Sequence, residues 1–164
     1  MKKLHKIFLD KFRKMKDIYQ KYNFDSVSSK IEKDIADISD FKVTVPIVGT
    51  FSTGKTTLVN ELIGYYLLST DITPETAIPA ELTYGKENIT YCMKDGTQKK
   101  GVLNKESEQE IPCDVSLLKI SMENSFFEQI PDVRLVDMPG FDSGIQIHNR
   151  AINDYLPRSL AYII

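Results

Sequence analysis

The stretch with the clearest chemical meaning is Gly49-Thr-Phe-Ser-Thr-Gly-Lys-Thr-Thr57, which has the pattern G-x-x-x-x-G-K-[ST] of a phosphate-binding loop. Its two glycines allow the backbone to curl so that successive N–H groups point at phosphate oxygens. Lys55 can reach the outer phosphates as a point charge, and the hydroxyl of Thr56 is an oxygen ligand suited to Mg²⁺. The loop residues predicted to bind nucleotide are Gly49, Ser52, Thr53, Gly54, Lys55, Thr56 and Thr57.

A second motif, Asp137-Met-Pro-Gly140, follows a short predicted strand whose apolar residues are Val133, Leu135 and Val136. The carboxyl end of a buried parallel strand faces the ligand in an open sheet, so Asp137 is placed to hold the water shell of Mg²⁺. Gly140 can bring its N–H to the terminal phosphate. Phe141 comes next, and a phenylalanine cannot orient an attacking water, so that task must fall to another residue.

The segment 65–79 contains two prolines and several threonines, and it is predicted to be a loop. In nucleotide switch proteins a threonine from such a segment completes the Mg²⁺ shell, so Thr73 and Thr76 are both candidates. The alternative is a surface loop with solvated threonines. His5 and His148 have no partner at ligand spacing, and neither a metal nor a catalytic role is predicted for them.

The elements around the two motifs have the order of an α/β fold. An apolar strand at 42–48 precedes the loop, and a helix at 57–63 follows it. Because the chain from Lys55 to Asp137 is much longer than one βαβ unit, it must carry inserted β structure. The expected class is α/β, a mostly parallel sheet flanked by helices with a β insertion. Further strands are predicted at 80–84, 89–93, 98–103, 115–122 and 160–164. A polar stretch with one helical turn is predicted at 104–110, and a helix at 147–156.

Residues 1–40 are predicted to form an N-terminal helical extension to the α/β domain of residues 41–164. A second helix is expected at about 28–39. In the first helix a lysine-rich face lies opposite an apolar stripe and could meet an anionic membrane surface, but packing on the protein itself is favoured. The stripe consists of Leu4, Phe8, Phe12, Met15, Tyr19 and Tyr22.

The composition is that of an ordinary soluble globular chain, with 164 residues, 41% of them hydrophobic, and a formal net charge of −2. Such a charge is unsuited to coating nucleic acid, and the aromatic residues form no stacking platform, so no nucleic-acid partner is expected. Two isolated cysteines indicate a reducing compartment. Without a secretion signal or an apolar run of about 18 residues, a cytoplasmic location is expected.

Three stretches resemble the GTPase domain of the dynamin superfamily, in particular its bacterial dynamin-like branch. They are VGTFSTGKTTLVNELIG (48–64), LLSTDITPETAIPAELTYG (67–85) and VRLVDMPGFDSG (133–144). The resemblance covers about residues 41–164. It implies a phosphate-loop GTPase fold, GTP hydrolysis with Mg²⁺, a homodimer of GTPase domains across the nucleotide face, and membrane remodelling by the complete protein. Peripheral contact with membrane lipid would then come mostly from regions outside this chain.

By position, the resemblance implies that Ser52 lies near the β/γ bridge and that Thr76 is the switch threonine. Eukaryotic dynamins have a glutamine where Phe51 stands, so the role of that glutamine does not transfer. The catalytic residues are then expected to be Ser52, Lys55, Thr76 and Gly140, and the Mg²⁺ ligands Thr56, Thr76 and Asp137.

The guanine-reading motif Asn/Thr-Lys-x-Asp is absent from the sequence, so the chain is expected to be the front half of a GTPase domain. The sequence therefore does not distinguish a guanine from an adenine nucleotide. The first alternative function is a phosphate-loop ATPase, and the second is a non-enzymatic membrane or partner adaptor acting through the basic N-terminal helix. Because an unfinished sheet exposes apolar side chains and an unpaired edge, the isolated chain is expected to be poorly stable or self-associating.

Overall fold

The structure is a computed structural model that describes residues 2–69, 78–103, 111–140 and 153–164. It divides into two compact units, Met1–Lys42 and Val43–Ile164. The predicted assignment of these parts to a helical segment and a GTPase domain stays a prediction. None of the helices in the described ranges has both the length and the apolar composition needed to cross a bilayer.

The first unit contains two helices that pack against each other, α1 (Lys2–Lys21) and α2 (Asp25–Ser39). An ion pair between Lys16 Nζ and Glu32 Oε1, at 2.6 Å, joins them. One partner helix covers only a narrow strip of α1, so part of the predicted apolar stripe stays in water. Phe12 and Tyr19 are half-buried, whereas Phe8, Met15 and Tyr22 are exposed.

The second unit has a six-stranded sheet in its described residues, with the spatial order β1-β6-β2-β5-β3-β4. Two of its α-helices lie entirely within the described residues, α3 (Lys55–Ile63) and α4 (Ser125–Gln129). The strands are β1 (Val43–Ile47), β2 (Ala80–Tyr84), β3 (Asn88–Met93), β4 (Gln98–Gly101), β5 (Val115–Met122) and β6 (Val133–Asp137).

The predicted α/β fold is confirmed, and its sheet is mixed in the described strands. Parallel pairing joins β1 to β6 and β2 to β5. Antiparallel pairing joins β2 to β6, β3 to β5 and β3 to β4. The sheet contains both directions because β2 runs opposite to β6 and because β3 and β4 form a hairpin. The inserted strands lie on one side, so β1 and β6 remain neighbours on the other.

Near the C-terminus the structure contains less regular β structure than the sequence predicts. The predicted strand at 160–164 forms a single parallel bridge, in which Ile163 pairs with Ile47. The N–H of Val48 donates to the carbonyl of Ile163 at 2.8 Å. Most of the predicted helix at 147–156, and all of the stretch 104–110, lie outside the described residues.

The main core lies where α3 and α4 pack on the sheet. Helix α4 has no counterpart among the predicted helices, and Asn124 explains why it forms. The Asn124 side chain accepts from the N–H of Phe126 at 2.8 Å, and its amide donates to the carbonyl of Ile63 at 2.8 Å. Core residues with almost no exposed surface include Val59, Leu67, Leu82, Leu118, Ile120 and Phe127.

A buried asparagine fixes the chain that follows α3. The side-chain oxygen of Asn60 accepts from the N–H groups of Leu67 and Leu68, both at 3.1 Å, and its amide donates to the carbonyl of Leu68 at 2.8 Å. Asn60 is only 4% exposed. One side chain therefore satisfies three buried backbone groups that would otherwise lack partners in a non-regular segment.

We expect Asn60→Ala to lower the free energy of unfolding by roughly 2–4 kcal/mol, because buried backbone groups would lose their hydrogen-bond partners. Urea denaturation followed by circular dichroism measures this loss. Glu61→Ala, at the adjacent exposed position, is the matched control and should change stability by less than about 0.5 kcal/mol. Equal losses in the two variants would contradict the structural role of Asn60.

Candidate functional site

The two motifs meet at one edge of the sheet because of strand register. Asp137, the last residue of β6, pairs with Ile47, the last residue of β1. On its other side Asp137 pairs with Ala80, the first residue of β2. The phosphate loop leaves the sheet just after Ile47, so the loop and the carboxylate emerge side by side.

The loop between β1 and α3 has backbone conformations that its sequence makes possible. Gly54 has φ of +82°, in the left-handed region, and serves as the N-cap of α3. Ser52 also has positive φ, at +60°, which is uncommon for a residue with a side chain. At Gly49 a Cβ would lie 2.9 Å from the Thr53 hydroxyl, so a larger residue would crowd the loop. The first turn of α3 then directs its free N–H groups toward the loop.

The side chain of Lys55 is held over the loop by backbone carbonyls of the loop itself. Its ammonium donates to the carbonyl of Thr50 at 2.6 Å and to that of Gly49 at 3.2 Å. Partial burial lowers the pKa of Lys55, and the nearby Asp137 carboxylate opposes that effect. The positive charge is therefore located at the mouth of the loop, where an anion would meet it.

The Thr56 hydroxyl donates to Asp137 Oδ2 at 2.7 Å. Asp137 is 7% exposed, and its other oxygen, Oδ1, is buried and makes no hydrogen bond within the described structure. Burial raises the pKa of Asp137 to about 6, while the Thr56 hydrogen bond and the Lys55 charge work in the opposite direction. A buried carboxylate with one free oxygen is a group that a cation would stabilise.

Gly140 lies directly against the phosphate loop. A Cβ built on Gly140 would be 2.6 Å from the backbone nitrogen of Phe51 and 2.7 Å from its Cα. No side chain fits at this position unless the loop moves. The Phe51 ring itself is 40% exposed.

These residues surround a cavity of about 240 Å³. The structure brings Ser52, Thr53, Gly54, Lys55, Thr56, Thr57 and Asp137 together in its lining, with Gly49 and Gly140 adjacent in the loop and the second motif. The two switch candidates, Thr73 and Thr76, lie outside the described residues. The functional role of each residue in this set stays a prediction.

The donors present fit a Mg²⁺ ion of the kind found with nucleotide phosphates. In the described ranges there is no group of three or more His, Cys, Asp or Glu side chains that could hold a metal by themselves. Mg²⁺ in nucleotide sites needs only one or two protein oxygens, since phosphates and waters supply the rest. The free Oδ1 of Asp137 and the hydroxyl of Thr56 provide such oxygens.

Some cavity residues are not among the predicted site residues. Ser69 and Ile78, from the segment 65–79, line the cavity together with Ile111 and Leu118, which are distant from them in the chain. No local pattern marks them, because they meet only through the tertiary fold.

A scan against family models matches residues 45–164 of this chain to the model described as the dynamin family. The chain belongs to the dynamin family. This confirms the family to which the three motifs are similar, and one relative of this chain is named a bacterial dynamin-like protein, in agreement with the predicted branch.

Among curated proteins, this dynamin-family chain is 37% identical over 82 residues to a bacterial dynamin-like protein of Nostoc punctiforme. That match covers 44% of this chain and 12% of the relative. The chain is also 25% identical over 149 residues to an uncharacterised protein of the xynA 3′ region from Caldicellulosiruptor, covering 84% of this chain and 34% of that one. It therefore spans about a third or less of the length of these relatives.

Two solved chains of an oligomerised bacterial dynamin pair have the same fold. The first superposes with a TM-score of 0.56 at 20% identity, over 84% of this dynamin-family chain and 22% of the solved chain. The second has a TM-score of 0.51 at 19% identity, over 79% and 21% of the two chains. That pair is described as sensing and tethering membranes over long range.

The raised pKa of Asp137 makes stability depend on pH. The folded state binds the Asp137 proton more tightly than the unfolded chain, whose carboxyl titrates near 3.8. The stabilisation is therefore complete below about pH 4 and is lost as pH rises through about 6. The wild type should therefore lose stability as pH rises, whereas Asp137→Asn should not. We expect the free energy of unfolding of Asp137→Asn, relative to that of the wild type, to increase by up to about 3 kcal/mol between pH 4 and pH 7.5.

Urea denaturation at both pH values, without nucleotide or Mg²⁺, measures this gain. Asp17→Asn, which replaces an exposed carboxylate on α1, is the control and should show no comparable change with pH. If the difference between Asp137→Asn and the wild type stayed constant with pH, the buried carboxylate would not titrate as the structure indicates.

Proposed function

We propose that this chain is the phosphate-binding part of a dynamin-like GTPase that binds GTP and hydrolyses it with Mg²⁺. The observation that supports this most strongly is the 2.7 Å hydrogen bond from Thr56 to the buried Asp137, beside Lys55 in the phosphate loop. The family supplies the context, because the chain is matched to the dynamin model over residues 45–164.

In the proposed mechanism each group acts through position and charge. The loop N–H groups and the N-terminal end of α3 bind the phosphates, and Lys55 places its charge at the outer ones. Thr56, Asp137 and the switch residue Thr76 would hold Mg²⁺, which when bound neutralises phosphate charge. Ser52 would lie beside the bond that breaks, and the N–H of Gly140 would contact the terminal phosphate.

Neither of the phenylalanines that follow or lie within the two motifs can position the attacking water. Neither Phe51 nor Phe141 has a side-chain acceptor for a water proton. Another side chain, a backbone group or a residue outside this chain must therefore orient the attacking water. Phe51 thereby distinguishes this chain from eukaryotic dynamins, which have a glutamine at that position.

We further propose that the complete protein forms a homodimer of GTPase domains across the nucleotide face and remodels membranes. The structural neighbours belong to an oligomerised pair described as tethering membranes, which supports both points by analogy. Contact with lipid would come mostly from regions outside this chain, and the complete protein would be cytoplasmic and peripherally attached.

We expect Lys55→Ala in the complete protein to weaken triphosphate binding by roughly ten- to a hundredfold, because a charge-assisted contact to the phosphates is lost. Titration calorimetry with a non-hydrolysable GTP analogue measures the affinity. Lys99→Ala, on the exposed edge strand β4, is the control and should bind as the wild type does. Unchanged affinity in Lys55→Ala would remove the loop from the binding site.

The choice of base separates a GTPase from a phosphate-loop ATPase. The contacts proposed for the described cavity are to phosphates and Mg²⁺, and the sequence contains no base-reading motif. We therefore expect this chain alone to prefer GTP over ATP by less than about a hundredfold, and the complete protein to exceed that ratio. Competition of GTP and ATP for a fluorescent nucleotide, measured on both, gives the two ratios. Equal affinity of the complete protein for GTP and ATP would favour the ATPase.

A further inference from the structure

A second polar cluster lies on the sheet face opposite Asp137. In the antiparallel pair of β2 and β6, Ala80 is opposite Asp137, so Glu81 projects from the other face. Glu81 is only 7% exposed. Its Oε1 accepts a hydrogen bond from the Tyr155 hydroxyl at 2.6 Å, and its Oε2 lies 3.6 Å from Arg134 Nε.

The Tyr155 ring packs behind both motifs. It contacts a small apolar cluster formed by Val48, Val136 and Met138. Val48 directly precedes Gly49 of the phosphate loop, and the other two residues flank Asp137 in sequence. The ring therefore packs against the residue that precedes the phosphate loop and against the residues on either side of Asp137.

The surroundings of Tyr155 keep its hydroxyl protonated, so that it remains a hydrogen-bond donor to Glu81. Burial, and then the hydrogen bond to Glu81, raise the pKa of the Tyr155 phenol above its ordinary value, so the phenol keeps its proton. The nearby Arg134 Nε is buried and makes no hydrogen bond among the described residues. Buried ion pairs seldom add stability over apolar side chains of similar size. Stability alone is therefore a weak reason for this arrangement.

We propose that Tyr155 is a positioning residue for Asp137, acting through Glu81 and strand β2. The hydrogen bond fixes Glu81 next to Ala80, whose backbone pairs with Asp137, while the ring supports the residues on either side of that carboxylate. Loss of the hydroxyl would let the strand end shift and would misplace the Asp137 oxygen needed for Mg²⁺. This inference rests on the proposed function, since it concerns the same metal-binding edge.

The test is Tyr155→Phe in the complete protein, which keeps the ring and removes the hydroxyl. We expect turnover of GTP at saturating Mg²⁺ to fall roughly three- to tenfold. The Mg²⁺ concentration giving half-maximal turnover should rise by a similar factor. The affinity for the nucleotide at saturating Mg²⁺ should stay within about twofold of the wild type. A purely structural role would lower the melting temperature without changing the Mg²⁺ dependence.

Two substitutions of Glu81 separate the hydrogen bond from general packing. Glu81→Gln retains an oxygen that accepts from Tyr155, so turnover and Mg²⁺ dependence should stay within about twofold of the wild type. Glu81→Leu removes the acceptor and should behave as Tyr155→Phe does. Tyr162→Phe, at a tyrosine that is 58% exposed, is the matched control and should change neither quantity.

The outcomes distinguish this inference from the function on which it rests. If the wild type hydrolyses GTP and Tyr155→Phe has the same turnover and Mg²⁺ dependence, the positioning role is overturned and the proposed function stands. The same conclusion follows if Glu81→Gln loses as much activity as Tyr155→Phe. If the wild type neither binds nor hydrolyses GTP, the proposed function itself is overturned.

Discussion

The register of β6 between its two neighbours is the constraint on which the site depends. Because Ile47, Asp137 and Ala80 are aligned across three strands, the phosphate loop, the carboxylate and the chain entering β2 all meet at one edge. A shift of one residue in β6 would turn the Asp137 side chain to the opposite face of the sheet. The chemistry of the site is therefore fixed by backbone hydrogen bonds before any side chain contributes.

The electrostatics of the edge follow from that placement. Burial works against the charge on Asp137, and Thr56 and Lys55 offset only part of the cost. Among the described residues, Lys55 is likewise held by backbone carbonyls, at 2.6 and 3.2 Å, and not by an ion pair at hydrogen-bond distance. The two charged side chains thus occupy fixed positions, where Asp137 can bind a cation and Lys55 can bind an anion. A magnesium nucleotide carries both kinds of charge.

Local patterns predicted much of this molecule, and long-range contacts account for what they missed. The loop, the helix after it and the strand ending at Asp137 were predictable, because glycine spacing and apolar runs act within a few residues. Helix α4 has only the five residues Ser125–Gln129, too few to show helical periodicity. The direction of β2 depends on which neighbour it meets, and no local signal encodes that. The contact of Tyr155 with Glu81 likewise exists only once the sheet has formed.

The close approach of Gly140 to the loop has a consequence for how such sites diversify. The nearest contacts at Gly140 are the backbone nitrogen and Cα of Phe51, at 2.6 and 2.7 Å from a built Cβ, while the ring is 40% exposed. Position 140 is therefore closed to variation, whereas the side chain at position 51 can be exchanged with little movement of the loop. An evolving lineage could place an apolar ring or a hydrogen-bonding amide there on the same backbone. Position 140 thus preserves the geometry of the loop, whereas position 51 is one at which a side chain with new reactivity can be selected.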